Sequence, residues 1–406
     1  MKGRNFPVAT VTKKAAASIK AGHPWVYEDE IISLTAEPGA DGLADVASEK
    51  GAYLGTGFFS PASKIRIRIL SDNPNETFSP AFWERRVKYA VDYRRTVMGP
   101  DFSCCRLVFG EADGIPGLTV DRYGDILVTQ VLSACLEPRR DIIYGALVRE
   151  LESGGEKISG IYERNDVDLR DKEGLTQYKG WYEGIPHPDK TETEITENGI
   201  VYTVDFENGQ KTGFFLDQKY NRLAVARIAA GKKVLDCFTH TGSFALNAAK
   251  GGAQSVTAVD VSETAVAAAK RNAAINGLDG RMDFVCEDVF DLLTSLAEKG
   301  GKPYDMIILD PPAFTKSRKT AARAEKGYKE INYRAMKLLP RGGYLATCSC
   351  SHFMDSASFE RMLRSAAADA AVQLKLVESR RQSCDHPILM NVPETDYLKF
   401  YIFQVV

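Results

Sequence analysis

The sequence predicts an α/β chain whose C-terminal half is a doubly wound parallel sheet, preceded by a small β-rich domain and a central α+β domain. Three observations carry this. From residue 213 onward, apolar strand-like runs alternate with helical stretches: "KVLDCF", "SFALNAAKG", "SVTAVDV", "TAVAAAKRNAAING", "MDFVCED", "YDMIILDPP", a long helix, "GGYLATCSC", another helix and "YLKFYIFQV". Parallel strands need crossovers, and helical crossovers cover both faces of the sheet they join. Before residue 72, Ile65, Ile67 and Ile69 alternate with Arg66 and Arg68 among Gly-bearing turns, the period of half-buried strands. The length of 406 residues, finally, exceeds what one ordinary core holds.

In order along the chain, residues 1–72 form the β-rich domain. A helix follows over 78–97, with Phe82, Val87, Ala90 and Tyr93 at helical spacing and Ser79 before Pro80 as its N-cap. Residues 73–190 form the central domain: two strands around the turns of "RLVFGEADGIPGLTVDRYGDILVTQVL", a helix near 137–152 and the charged stretch "IYERNDVDLRDKEGL". The polar "HPDKTET" marks a boundary, after which Asn198-Gly199 turns a hairpin. The third domain spans 191–406. No internal repeat is evident.

A formal net charge of -2 argues against coating nucleic acid by bulk charge, so any such binding must come from local basic patches. Eight cysteines without a regular framework, and no secretory signal, suggest reduced thiols in a cytoplasmic protein. No apolar run has the roughly 18 to 20 residues that a bilayer span needs. No structural-metal spacing is present, so no metal is expected.

Ligands of an open parallel sheet bind outside the carboxyl ends of its strands. The first strand ends in "VLDCFTHTGSFAL", with Asp236 before the turn, Phe238 within it and Gly242 before the next helix. The second ends at Asp260, where a carboxylate can accept hydrogen bonds from both hydroxyls of a ribose, and the third at Glu287-Asp288, suited to an exocyclic adenine amine. A dinucleotide would want G-x-G-x-x-G and a phosphate cradle, which the turn lacks. A nucleoside with a sulfonium and amino-acid tail needs neither, so S-adenosylmethionine is the expected cofactor. Upstream, "NGQKTGFFLDQKYNR" offers Phe214, Phe215 and Gln218 as walls and Arg222 as partner for the cofactor's carboxylate. Asp310, at the end of "IILDPPAF", is stiffened by two prolines beside the substrate position.

The next strand ends in "TCSCS", which places Cys348 and Cys350 beside Asp310. A thiolate adding to carbon 6 of a pyrimidine makes carbon 5 nucleophilic toward a sulfonium methyl, a form of covalent catalysis that suits cysteine. Packing is the competing role for Cys348, Cys237 and Cys286, which lie in apolar runs. Cys350, at the polar end of its strand, is the favoured nucleophile.

At this point the chain resembles the ribosomal RNA large-subunit cytosine-C5 methyltransferases of the RlmI type. "AGHPWVYEDEI" is similar to the start of that family's PUA domain and "GEADGIPGLTVDRYGD" to its central domain. "GFFLDQKYNR", "VLDCFTHTGSFAL", "LDPPAF" and "SCS" resemble its Rossmann-like class I methyltransferase domain, and "DHPILMNVPETDYLK" also fits. The resemblance implies that Cys350 is the nucleophile and that Asp310 orients the target cytosine. A separate family of RNA cytosine-C5 methyltransferases carries "TC" in the same strand and a second cysteine after motif IV. Thr347-Cys348 matches that "TC", but Pro311-Pro312-Ala313 brings no cysteine. The proton-abstracting base is therefore unassigned, and Cys348 remains an alternative nucleophile.

For RNA, Lys316, Arg318 and Lys319, with Arg323 and Lys326 beyond them, cluster after Asp310 as partners for phosphates, and Lys64, Arg66 and Arg68 supply a second patch. The expected partner is ribosomal RNA of the large subunit, with no membrane; a homodimer is compatible with the sequence. Two other readings stay open: methylation of an exocyclic amine of guanine or adenine, which needs no cysteine, and a non-catalytic RNA-binding assembly factor.

Overall fold

The computed structural model describes residues 5–314 and 321–406. The chain divides into two compact units. The first comprises Met1–Glu194, Val204–Leu216 and Cys384–Thr395, the second Ile195–Thr203, Asp217–Ser383 and Asp396–Val406.

The first unit holds two sheets. Strands β1 (Val8–Val11), β2 (Trp25–Tyr27), β3 (Ile31–Leu34), β4 (Leu43–Ser48), β5 (Tyr53–Phe59) and β6 (Ile65–Ser71) lie in the order β2-β6-β5-β4-β1-β3. The β6 alternation is realised: Ile67 enters the core, with Ile69 packed against it, while Arg66 and Arg68 lie on the other face. The second sheet runs β11-β10-β9-β8-β7, built from β7 (Cys104–Phe109), β8 (Leu118–Tyr123), β9 (Ile126–Val131), β10 (Gly160–Asn165) and β11 (Tyr178–Trp181). Its parallel pair, β9 with β10, is joined through the helix Arg140–Ser153, the crossover that a parallel pair requires.

The helix Pro80–Met98 starts where the sequence places it, although the Ser79 side chain makes no capping hydrogen bond. Its buried face departs from the expected spacing at one position. Tyr93 is exposed and donates its hydroxyl to the Cys384 carbonyl at 3.0 Å, whereas the adjacent Arg94 is buried. Arg94 can be buried because its donors are met: it pairs with Asp113, and Nε and Nη2 donate to the carbonyls of Arg106 and Asp385 at 2.9 and 2.8 Å.

Strands β12 (Glu192–Glu197) and β13 (Ile200–Asp205) form the expected hairpin, with φ of 54° at Asn198 and 72° at Gly199. Two successive positive φ values match the twist of a tight hairpin turn, which favours this residue pair.

The sheet of the second unit has the order β16-β15-β14-β17-β18-β20-β19, from β14 (Lys233–Cys237), β15 (Ser255–Asp260), β16 (Met282–Cys286), β17 (Met306–Leu309), β18 (Tyr344–Ser349), β19 (Leu374–Arg380) and β20 (Lys399–Val405). The expectation of a wholly parallel sheet is corrected at one edge: β20 runs antiparallel between β18 and β19. Strand β19 escapes sequence reading because it is an edge strand that leaves Lys375, Leu376 and Val377 exposed, which blurs its alternation. Leu235, Val259, Ile307, Leu309 and Leu345 pack into the core that this sheet shares with its helices. The order reverses at β14, which pairs with β15 on one side and β17 on the other, so the carboxyl ends of β14, β15, β17 and β18 meet at the switch point.

Candidate active site

The turn after β14 is held in an unusual backbone conformation. Phe238, His240 and Gly242 all have positive φ, at 64°, 50° and 80°. Glycine adopts such angles freely, but the two side-chain-bearing residues are strained by about 1–2 kcal/mol each. Strain of this kind collects at ligand sites. Gly242 is demanded twice over, because a Cβ there would stand 2.9 Å from that of Ala269. Asp236 braces the turn. Its Oδ2 accepts the Thr239 hydroxyl at 2.6 Å and the Ala245 amide at 3.0 Å, while Oδ1 is buried without a partner among the described residues. Burial, with Asp310 and Asp260 adding in the same direction, pushes the Asp236 carboxyl up to about 7.

Asp260, at the end of β15, accepts the His240 amide at 2.9 Å on Oδ2 and the Ser262 amide at 3.0 Å on Oδ1. Each oxygen keeps a second lone pair for a ligand hydroxyl. Asp288 lies two residues past the end of β16. It is the N-cap of the helix Val289–Lys299, and its Oδ1 accepts the Phe290 amide at 2.7 Å, which leaves Oδ2 as the oxygen available to an amine.

Beyond β17 and β18, three predicted residues come together. Cys348 donates its thiol to Asp310 Oδ1 at 2.8 Å, and Gln218 Nε2 donates to the same oxygen at 3.2 Å and to the Cys348 sulfur at 3.4 Å. Gln218 is fixed in turn by Asn221, which donates to its Oε1 at 2.6 Å. Burial, with Asp217 acting in the same sense, raises the Asp310 carboxyl to about 6, against the opposing bonds from Cys348 and Gln218. Burial and the Asp310 charge push the Cys348 thiol well above its ordinary value, so it is a protonated donor. Cys348 is 1% exposed, whereas Cys350, one residue past the end of β18, is half-buried.

Other predicted residues are engaged elsewhere. Arg222, expected at the cofactor's carboxylate, is 1% exposed and grips Glu197 through Nε and Nη2 at 2.7 and 3.1 Å, with Nη1 on the Ser243 hydroxyl at 3.3 Å. A buried guanidinium needs a carboxylate close by, and Glu197 of β12 provides it. Phe214 is buried in the first unit, where its amide and carbonyl both meet the Tyr123 hydroxyl. In the N-terminal patch, Arg66 pairs with Glu28, and Arg68, 12% exposed at its side chain, pairs with Glu173 at 3.0 Å. Only Lys64 of that trio is exposed. Lys316, Arg318 and Lys319 lie outside the described residues. Arg323 and Lys326, in the helix Ala321–Leu338, are exposed.

Sequence reading missed Lys399. It is 4% exposed, and its Nζ donates to the carbonyls of Ser351 and Tyr397 at 2.6 and 2.8 Å. The signal was a lone cation in the otherwise apolar run "YLKFYIF".

The arrangement suits a ligand rich in donors. Partnerless Asp236 Oδ1 and the spare lone pairs of Asp260 and Asp288 are acceptors, and ribose hydroxyls, an adenine amine and an ammonium are donors. Those groups belong to S-adenosylmethionine, and the chemistry of the site fits it. Among the described residues, no group of three or more His, Cys, Asp or Glu is placed to hold a metal, and no helix is long and apolar enough to cross a membrane.

Comparison with known proteins agrees. The S-adenosylmethionine-dependent methyltransferase family matches residues 176–403, and a PUA-like domain family matches residues 9–72. Ribosomal RNA large subunit methyltransferase I of Klebsiella pneumoniae is 38% identical over 403 residues, 99% of each chain. The protein of the same name from Alteromonas mediterranea is 39% identical over 390 residues, 96% of each chain. Among solved structures, a chain of Streptococcus mutans described as a SAM-dependent methyltransferase superposes with a TM-score of 0.83 at 23% identity, covering 98% of this chain and 100% of that one. The chain therefore belongs to the S-adenosylmethionine-dependent methyltransferases and, within them, to the ribosomal RNA large subunit methyltransferase I family.

Proposed function

We propose that this protein methylates carbon 5 of a cytosine in large-subunit ribosomal RNA, with Cys350 as nucleophile and Asp310 orienting the base. The names of the full-length relatives support the RNA class. The observation that carries the cysteine assignment is the 2.8 Å bond from Cys348 to Asp310. It commits one thiol of the pair to a buried donor role, whereas the half-buried one, Cys350, stands one residue past the end of the same strand.

The cofactor, when bound, supplies an electrophilic methyl group on a sulfonium. The Cys350 thiolate adds to carbon 6, and the displaced ring electrons make carbon 5 the nucleophile that takes the methyl. The ring proton then leaves carbon 5 to a base, the bond between carbon 6 and sulfur breaks, and the thiolate is restored. Asp310 uses Oδ1 for Gln218 and Cys348, so Oδ2 is the oxygen presented to the cytosine. Its elevated midpoint of about 6 lets the carboxyl exchange protons with the base near neutral pH. Asp236, Phe238, Gly242, Asp260 and Asp288 hold the cofactor, Gln218 closes the pocket, and Arg222 supports it through Glu197. Exposed Lys64, Arg323 and Lys326 are surface cations available to phosphates. The domain division 1–72, 73–190 and 191–406 belongs to the same reading.

RNA carrying 5-fluorocytidine tests it. Fluorine cannot leave as a cation, so the covalent adduct should survive on denaturing gels for the wild type and for Cys348→Ala and be absent for Cys350→Ala. Loss of the adduct in Cys348→Ala alone would transfer the role to Cys348. Methylation by both cysteine variants would overturn covalent catalysis and favour an exocyclic amine as acceptor. Mapping methylated nucleotides of ribosomal RNA in cells with and without the protein identifies the target base.

A further inference from the structure

Lys399 is a charge in an expensive place. It is 4% exposed, and no carboxylate lies within 4 Å of it among the described residues. Two of its three N–H donors go to the carbonyls of Ser351 and Tyr397. Carbonyl dipoles alone are weak compensation for a buried ammonium, and a cation kept without an ionic partner usually has a task.

Its position indicates which. Lys399 pairs with Ser349 across the β18–β20 ladder, and its ammonium reaches the Ser351 carbonyl at 2.6 Å, so it spans the stretch of chain in which Cys350 lies. The other charged groups that act on it are spent elsewhere: Asp396 pairs with Arg381 at 3.0 Å, and Asp355 caps the helix Ser356–Asp369 by accepting the Ser358 amide at 2.7 Å. Cys348 is occupied by Asp310. Tyr328 acts on Cys350 from the helix Ala321–Leu338, and its buried hydroxyl stays protonated.

We infer that Lys399 is the positioning residue that holds Cys350 as a thiolate, both for attack on the pyrimidine ring and for departure from it. The inference rests on the assignment of Cys350 as nucleophile. In the attack step the thiol proton passes to solvent and sulfur bonds to carbon 6; in the release step that bond breaks and its electron pair returns to sulfur. An ammonium held on the carbonyl of the next residue, Ser351, favours the charged form at both stages, and a thiol that ionises more readily also leaves faster. Burial lowers the Lys399 ammonium to about 8, while Cys350 is the foremost group acting in the opposite direction, ahead of Asp396, Asp355 and Cys348, as a mutually stabilising pair requires.

The test reads the thiol directly. Iodoacetamide alkylation of Cys350 in the full-length protein, followed by peptide mass spectrometry as a function of pH, gives the ionisation midpoint without any methyl transfer. In the wild type the midpoint should fall below the roughly 8.5 of a free thiol. Lys399→Met should raise it by about one unit and slow alkylation at pH 7 by about tenfold. Lys399→Gln retains hydrogen bonding to the carbonyls without the charge and should behave like Lys399→Met, should that variant fold poorly. Lys399→Arg should restore the wild-type profile. A wild-type midpoint at or above that of a free thiol, or an unchanged midpoint in folded Lys399→Gln, would overturn the inference. Fluorocytidine trapping reports on the nucleophile itself, so failure of that assignment and failure of the lysine's role give separate signatures.

Discussion

The two units treat buried charge in opposite ways. In the first, buried arginines meet carboxylates: Arg94 with Asp113, Arg164 with Asp166 at 2.9 Å and Arg170 with Glu137 at 3.0 Å. In the second, Asp236 keeps one buried oxygen without a partner among the described residues, Asp310 is held by neutral donors, and Lys399 rests on carbonyls. Arg222 and Glu197, by contrast, pair with each other there. Paired charges specify structure. Unpaired ones are a cost that a ligand or a reacting group offsets, and their pattern marks the chemistry.

Breaking a pair in the first unit should have the largest effect. Arg94→Met leaves the Asp113 carboxylate, 6% exposed at its side chain, without its cation. Removing one partner of a buried pair typically costs about 3–5 kcal/mol, and urea unfolding should show a loss of that order. A loss below about 1 kcal/mol would mean that the pair is not what holds the helix Pro80–Met98 in place.

Removing an unpaired charge in the second unit should do the reverse. An unfolded aspartate titrates near 3.9, and folded Asp236 does so at about 7. Between those values only the unfolded chain releases its proton, so folding becomes less favourable as pH rises, and the cost is complete above pH 7. Asp236→Asn, which can still accept from Thr239 and Ala245, should therefore be more stable than the wild type at pH 8, by on the order of 4 kcal/mol. The gain should vanish near pH 4, and calorimetry should show weakened cofactor binding. Equal stability of the two proteins at pH 8 would remove Asp236 from the strained set.

The smallest effect sharpens the comparison at Asp310. Gln218→Ala deletes a donor to the carboxylate, at about 1 kcal/mol of stability. Because that bond favours the charged form, its loss should move the acidic limb of the methylation profile to higher pH, upward from about 6. A shift to lower pH would show that Gln218 does not act on Asp310.

Much of the site was legible in the sequence because strand-end chemistry is local. An acid that closes an apolar run, followed by a glycine turn or a proline pair, fixes both its element and its end of the sheet, and Asp236, Asp260 and Asp310 were found that way. The antiparallel β20 and the edge strand β19 were not, since strand direction depends on pairing and β19 buries too little to show a period.

What the sequence by itself determined, then, is the alternation of elements, the order of acids along it and the cysteine pair, all written in periods of a few residues. What only the tertiary structure decided is which charge meets which partner. Arg68 reaches Glu173 across 105 positions, Cys348 reaches Asp310 across 38, and Lys399 reaches Ser351 across 48. Such partners are chosen by where burial leaves a donor and an acceptor facing each other in a medium of low dielectric. That choice pairs Arg68 with Glu173, makes Cys348 a donor to Asp310, and sets an unexpected lysine on the carbonyl of Ser351.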